Sequence, residues 1–554
     1  MLSSVLDFWG QHAPVLSVLL PAFTAVLLLL MGDHGGLSAQ GGGHASHRLR
    51  WQRRLALASA ALGLLMAAGL VWRATRGELM VYELGEWPAP FGIVMVVDRL
   101  SALMVLLTTL IAWPVLWYAC GGWDMRGRHF HAIFQFQLMG LCGAFLTGDL
   151  FNLFVFFEVL LIASYVLLLH GQGRERLRMG VHYVVLNLAA SALFLIGLAV
   201  VYATTGTLNM ADVALKVASL QGEGLSLFQA ASLILLVVFG LKAALVPLYF
   251  WLPGTYAAAS APVAALFAVM TKVGVYSIIR MHWVIVGLDA GDASFTVQPW
   301  LLPLALLTSV LGVLGALSAH TMARLVAYLT VSSVGTILAG VGLFTPATLS
   351  AALYYMLHST VVVAGLFLFV ELVAAQRGPA GDRLQPAPAV REPVLLGVMM
   401  LFGAASAAGL PPLPGFIGKL MILESSAGLA AQAWVWAVVL VVGFLTIICL
   451  ARAGVVVFWH VQPSENLHDA GRSPRMLGAA ALLMVLTVLM AVFASPIKRY
   501  TDGAAEQLAN KDFYARTILQ RQGGAGLSTT LPYDGARGPF VRPGAVAPAV
   551  KEVE

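Results

Sequence analysis

Fourteen charge-poor apolar runs dominate this chain of 554 residues, near 14–32, 55–72, 100–119, 130–148, 150–169, 181–204, 228–252, 260–279, 299–319, 325–344, 350–373, 393–427, 433–458 and 476–495. Roughly 20 apolar residues suffice for a helix to cross the hydrocarbon core of a bilayer. Lipid offers the backbone no hydrogen-bond partner, so such a pattern predicts an all-α polytopic membrane protein of about fourteen transmembrane helices. Composition agrees. The chain is 60% hydrophobic and 10% charged, with a mean hydropathy of +0.86, whereas soluble domains carry about 25% charged residues. The formal charge of +6 is scattered over short loops, which argues for a bilayer partner and against nucleic acid.

Cys120, Cys142 and Cys449 stand singly, and the 13 histidines form no H-x-x-x-H pair. No metal, haem or iron–sulfur cofactor is therefore expected. The first apolar run has no basic segment ahead of it and reads as a permanent span rather than a cleaved signal. Arginines concentrate in the loops after odd-numbered helices, among them Arg48, Arg50, Arg53, Arg54, Arg126, Arg128, Arg174, Arg176, Arg178, Arg324, Arg377, Arg383, Arg391, Arg472 and Arg475. Even-numbered loops hold few basic residues, such as Arg73, Arg76, Arg99, Lys216 and Arg280. Odd loops are thus expected in the cytoplasm of a cell inner (plasma) membrane, with both termini on the periplasmic side.

Two runs are interrupted. The seventh carries Pro247 five residues after Lys242, and the twelfth contains Pro411, Pro412 and Pro414 between glycines. Proline removes a backbone donor and clashes with the preceding turn, so both helices should be discontinuous at mid-membrane. Each break falls in the fourth helix of a five-helix unit, and an odd number of spans inverts one unit relative to the other. Matching breaks are a pointer to inverted-repeat transporters. The expected division is helices 1–3 (1–129), a first repeat of helices 4–8 (130–280), an inverted second repeat of helices 9–13 (281–458), helix 14 (459–496) and a polar tail (497–554). Residues 504–521 of that tail could form one amphipathic helix.

Ionisable residues inside apolar runs carry most of the functional information. A charge at the bilayer centre costs at least ~2.5 kcal/mol, so such residues face the protein interior and mark transport paths. They are Glu158, Lys242, Lys272, His358, Glu371, Lys419 and Glu424. Only seven lysines accompany 25 arginines, yet three of the seven lie within spans. Arg holds its proton permanently, whereas a desolvated Lys can release one, which makes a Glu/Lys/His proton relay plausible. In such a relay Glu158 and Lys242 would act as a separable pair. The competing reading makes these residues structural ion pairs.

Four stretches resemble one family. They are TGDLFNLFVFFE from Thr147 to Glu158, KAALVPLYFWLP from Lys242 to Pro253, LFAVMTKVGVY from Leu266 to Tyr276 and GLPPLPGFIGK from Gly409 to Lys419. All are similar to signatures of the antiporter-like membrane subunits, a superfamily that includes the proton-pumping subunits of respiratory complex I. PAPFGI at 88–93 and GTLNMAD at 206–212 most resemble the D-type subunits of the multisubunit Mrp/Mnh/Pha monovalent cation (Na⁺ or K⁺)/proton antiporters. The resemblance covers about residues 14–495. It implies a proton pathway of Glu158, Lys242, Lys272, His358 and Lys419, with Asp149, Ser359, Thr360, Glu371 and Glu424 as secondary candidates and no catalytic or metal site. It departs at Gly254, where relatives commonly carry an acid, and at Val363, where they carry a lysine. His358, with water and Ser359 or Thr360, would then have to bridge the two halves.

The expected function is that of a proton-translocating subunit in a multisubunit antiporter, a transporter component and not an enzyme. Partners implied by the resemblance are membrane subunits of the A, B, C, E, F and G type. Two alternatives stay open at this point: a proton-pumping subunit of a complex I-like or hydrogenase redox complex, and a non-transporting assembly scaffold. The residues do not distinguish Na⁺ from K⁺.

Overall fold

The computed structural model describes residues 2–32, 44–87, 89–462 and 473–521. Pro88, Arg472 and the tail beyond 521 lie outside the described residues. The helices are α1 (Leu2–Leu30), α2 (His44–Thr75), α3 (Arg99–Ala119), α4 (Phe130–Leu146), α5 (Leu150–Leu169), α6 (Arg174–Thr205) and α7 (Met210–Val217). They continue with α8 (Gly222–Ala243), α9 (Trp251–Ala258), α10 (Ala261–Ile279), α11 (Gln298–Ser318), α12 (Met322–Val341) and α13 (Pro346–Gln376). The last are α14 (Pro393–Ala408), α15 (Pro414–Ser425), α16 (Gln432–Phe458), α17 (Pro474–Val492), α18 (Ala494–Ala509) and α19 (Lys511–Arg521). A short antiparallel hairpin, β1 (Met80–Glu83) with β2 (Val94–Val97), joins α2 to α3.

Every apolar run falls on a helix or a broken pair of helices. Twelve helices among the described residues are single segments long and apolar enough to cross a membrane. The other two runs are the 17-residue α4 and the broken pair α14/α15. Local chemistry sets several starts: Asp98 accepts from Ser101 N–H at α3, Asp149 from Asn152 N–H at α5, and Asn209, Thr321 and Thr345 do the same at α7, α12 and α13.

Burial divides the helices. The span through α10 is wholly buried, and α12 and α13 are 89% buried over their apolar windows. In contrast α2, α6 and α16 turn large apolar side chains outward, such as Leu65, Ile196 and Phe444. Lipid is as apolar as a leucine core, so the outer helices need no polar face and polar residues collect on the central ones.

Two details differ from expectation. Arg280, read as an outer-loop residue, is buried at the end of α10, where both Nη atoms meet the Asp98 carboxylate. It ends an apolar run, so it looks like a loop residue until α3 delivers Asp98 beside it. In the tail, residues 494–521 are two helices parted at Asn510 rather than one helix over 504–521. Both pack over the bundle. Tyr500 donates to the Arg99 carbonyl, Gln507 accepts from Arg99 N–H, and Lys511 pairs with Asp289 at 2.6 Å.

Candidate functional site

The seventh run breaks where Pro247 predicted. The helix α8 stops at Ala243, Ala244 takes the left-handed conformation (φ 63°), and α9 starts at Trp251. An interrupted helix inside a membrane protein must find new partners for its freed backbone groups. Here Val246 N–H donates to Thr308 Oγ1 of α11 at 3.0 Å, and the Trp251 indole donates to the Leu241 carbonyl at 2.9 Å. Lys242 thus sits in the last turn of α8, where unpaired carbonyls favour a cation. Its Nζ donates to Asn187 Oδ1 of α6 at 2.8 Å.

The second break follows Ala408. Gly409 caps α14 with φ 85°, and Pro414 opens α15. From α15 Lys419 reaches back, and its Nζ donates to the Ala408 carbonyl at 2.7 Å. This places an ammonium on the negative end of α14. A side chain at Gly415 would drive its Cβ into the Ser406 carbonyl oxygen and to 2.8 Å from His358 Nε2. Gly415→Ala is therefore expected to displace α14 from α15 at a cost of ~1–3 kcal/mol. Reduced abundance of the assembled protein would report it, and wild-type abundance would contradict it.

Between the breaks lie the other candidates. Lys272 on α10 is fully buried, with Thr271 Oγ1 at 3.2 Å as its hydrogen-bond partner. His358 on α13 is hydrogen-bonded to the Ser406 backbone, and its Nδ1 has no partner. Beside it is a cavity of about 20 Å³ lined by Ser333, Tyr355, Ser359, Val363 and Lys419 among others, large enough for one water. Val363, the departure from the family pattern, is thus a wall of the space that joins His358 to Lys419. Glu158 on α5 is half-buried and accepts from Ser191 Oγ of α6. No carboxylate among the described residues lies within ion-pair distance of Lys242, Lys272 or Lys419.

The secondary candidates separate. Asp149 serves as the α5 cap, and Thr360 donates to the Met356 carbonyl within its own helix. Ser359 also bonds Met356 but lines the cavity. Glu371 lies far along α13 from His358, held by Tyr118 OH and Trp123 Nε1. Glu424 is exposed near the end of α15. Asn187 and Ser191 were not singled out from the sequence, although their i, i+4 spacing in an otherwise apolar helix is the signal that marks a polar stripe.

Cys120, Asp124 and His131 also bring possible metal-binding atoms within 4.8 Å of one another. Burial pushes the Cys120 thiol up to about 12. Burial also opposes the Asp124 charge, but hydrogen bonds from Arg53 and His131 outweigh it and hold the carboxyl down at about 2. Both Asp124 oxygens are taken, by Arg53 at 2.6 and 2.8 Å and by His131 at 2.9 Å. The group reads as an ion-paired staple.

The family described as NADH:quinone oxidoreductase/Mrp antiporter, TM, matches residues 147–448, which hold both breaks and all five central candidates. The D-type component of a probable K(+)/H(+) antiporter of Rhizobium meliloti is 39% identical, over 92% of this chain and 98% of its own length. Its counterpart in the Na(+)/H(+) antiporter of Bacillus subtilis is 36% identical over 91% and 99%. Among solved structures, a chain of the Mrp complex from Dietzia sp. superposes with a TM-score of 0.79 at 26% identity, over 92% of this chain and 99% of that one. With its matched segment and the near full-length coverage of these relatives, this chain belongs to the NADH:quinone oxidoreductase/Mrp antiporter family of transmembrane subunits.

Proposed function

We propose that this chain is the proton-translocating D-type component of a multisubunit Na⁺ or K⁺/H⁺ antiporter in a plasma membrane. Its partners are the other membrane subunits of that assembly, and its termini lie on the outer side. Residues 130–280 and 281–458 act as inverted repeats, each contributing one broken helix to a polar axis through Glu158, Lys242, Lys272, His358 and Lys419.

One observation carries this reading. The three buried lysines are held by an amide oxygen, a hydroxyl and a backbone carbonyl, and none by a carboxylate. A structural ion pair stabilises only the charged form, and breaking it leaves a buried charge uncompensated. Neutral partners bias a lysine less strongly toward its charged form, so the amine can take up and give back a proton at this depth. Glu158 acts on Lys242 through space, with Ser191 and Asn187 between them as neutral bearings. Each elementary charge moved across 100 mV is worth ~2.3 kcal/mol, so exchange of more than one proton per cation draws on the membrane potential.

Glu158→Ala and Lys242→Ala are each expected to abolish cation-dependent collapse of a pH gradient in everted vesicles, with the complex present at normal abundance. Retained exchange in both would leave only a scaffold role. Co-purification of small membrane subunits without flavin or iron–sulfur partners would separate the antiporter from a redox-driven pump.

A further inference from the structure

The N-terminal half of α4 concentrates buried polar atoms that the protein does not satisfy. His131 Nδ1, Gln135 Oε1 and both amide atoms of Gln137 have no partner, though the three side chains are 3%, 0% and 0% exposed. Leaving a buried amide wholly unpaired is costly, and native interiors resolve such groups with protein or water. With no protein hydrogen-bond partner for the Gln137 amide, water is the remaining partner.

The position of Gln137 gives that water a purpose. Gln137, Leu141 and Phe145 follow one another at i, i+4 and i+8 on one face of α4, as Ala268, Lys272 and Tyr276 do on α10. The two helices run in the same direction, since three crossings, α5, α6 and α8, lie between α4 and α10. Phe145 and Tyr276 meet with ring centroids 5.1 Å apart, and Tyr276 OH donates to the Phe145 carbonyl at 2.8 Å. Two turns before that contact on α4, Gln137 falls about one helical turn, ~5–6 Å, beyond Lys272 toward the α3–α4 loop.

On the other side of Lys272, Tyr276 and Arg280 are held by protein atoms. Tyr276 OH also accepts from Arg280 Nε at 2.8 Å, and the Arg280 Nη atoms are taken by Asp98 and Ser101. Beside α10, then, the Tyr276 and Arg280 side chains are tied to protein, while Gln137, across on α4 toward the α3–α4 loop, has no protein partner.

We infer that Gln137 holds and orients water beside Lys272, on the side of this lysine that faces the α3–α4 loop. The inference rests on the proton-relay reading of Lys272. Gln137 is a positioning residue: Nε2 donates, Oε1 accepts, and the amide orients water on both sides without itself carrying the proton. The proton arrives on water and is taken by the Lys272 amine.

The test uses the whole complex in everted and right-side-out vesicles. Gln137→Leu fills the space with hydrocarbon and is expected to slow antiport roughly tenfold or more at unchanged complex abundance, with Gln137→Asn retaining most of the rate. In a background with Cys120, Cys142 and Cys449 replaced by alanine, Gln137→Cys should react with Ag⁺ applied from the α3–α4 loop face and not from the other. Wild-type exchange in Gln137→Leu, or no Ag⁺ reaction from either face, overturns the inference. Lys272→Ala separates the two claims: exchange retained there removes the relay itself, whereas exchange lost there with Gln137→Leu unaffected removes only the positioning role of Gln137.

Discussion

Replacing any of Lys242, Lys272 or Lys419 with arginine is expected to stop exchange even though the positive charge is kept. Arginine donates hydrogen bonds as readily as lysine, so the Asn187 amide and the Ala408 carbonyl would still find a cationic partner. What arginine cannot do is release its proton inside a protein. If the lysines only hold helices together, Lys→Arg should be nearly silent. If they carry protons, each substitution should lower antiport by roughly a hundredfold or more, the scale on which a positioned proton-transfer group contributes. The measurement is cation-dependent recovery of a quenched pH-gradient dye in everted vesicles, normalised to the amount of assembled complex. Near-normal exchange in all three arginine variants would end the relay reading.

Arg280→Met is expected to be more damaging to assembly than removal of both members of its ion pair. The Asp98–Arg280 contact is buried and bidentate, and Tyr276 and Ser101 complete it. Taking away one partner strands the other charge away from water, at ~3–5 kcal/mol. The double variant Asp98→Ala/Arg280→Met leaves no such charge and should recover much of that loss. It should not recover all, because Asp98 Oδ1 also caps α3 through Ser101 N–H at 2.7 Å, a contact of ~1 kcal/mol. Melting of the purified complex and its abundance in the membrane report both effects. A double variant no more stable than Arg280→Met would contradict the account.

Much of the architecture was legible without coordinates, for one physical reason. Lipid gives a spanning segment few solutions, so the apolar runs map onto helices, and Pro247 and Pro411 to Pro414 mark both breaks. The same economy made Lys242, Lys272, His358 and Lys419 stand out, since an ionisable group in an apolar run is rare. Other features were legible only in hindsight. Asn187 and Ser191 are neutral and common, so nothing in their chemistry announces that they stand between Glu158 and Lys242. Gln137 is equally inconspicuous until its burial and its register against Lys272 are known.

By itself, then, the sequence determined the helical class, the apolar segments, the broken helices and the ionisable residues inside them, all of them one-dimensional consequences of the cost of exposing polar groups to lipid. The tertiary structure decided which neutral atom faces each lysine, that Arg280 is an interior ion pair and not a loop charge, and that both amide atoms of Gln137 are buried without a protein partner. These depend on how helices far apart in sequence are rotated against one another. Turning a helix by about 100°, one residue's step, changes the partner without changing any residue.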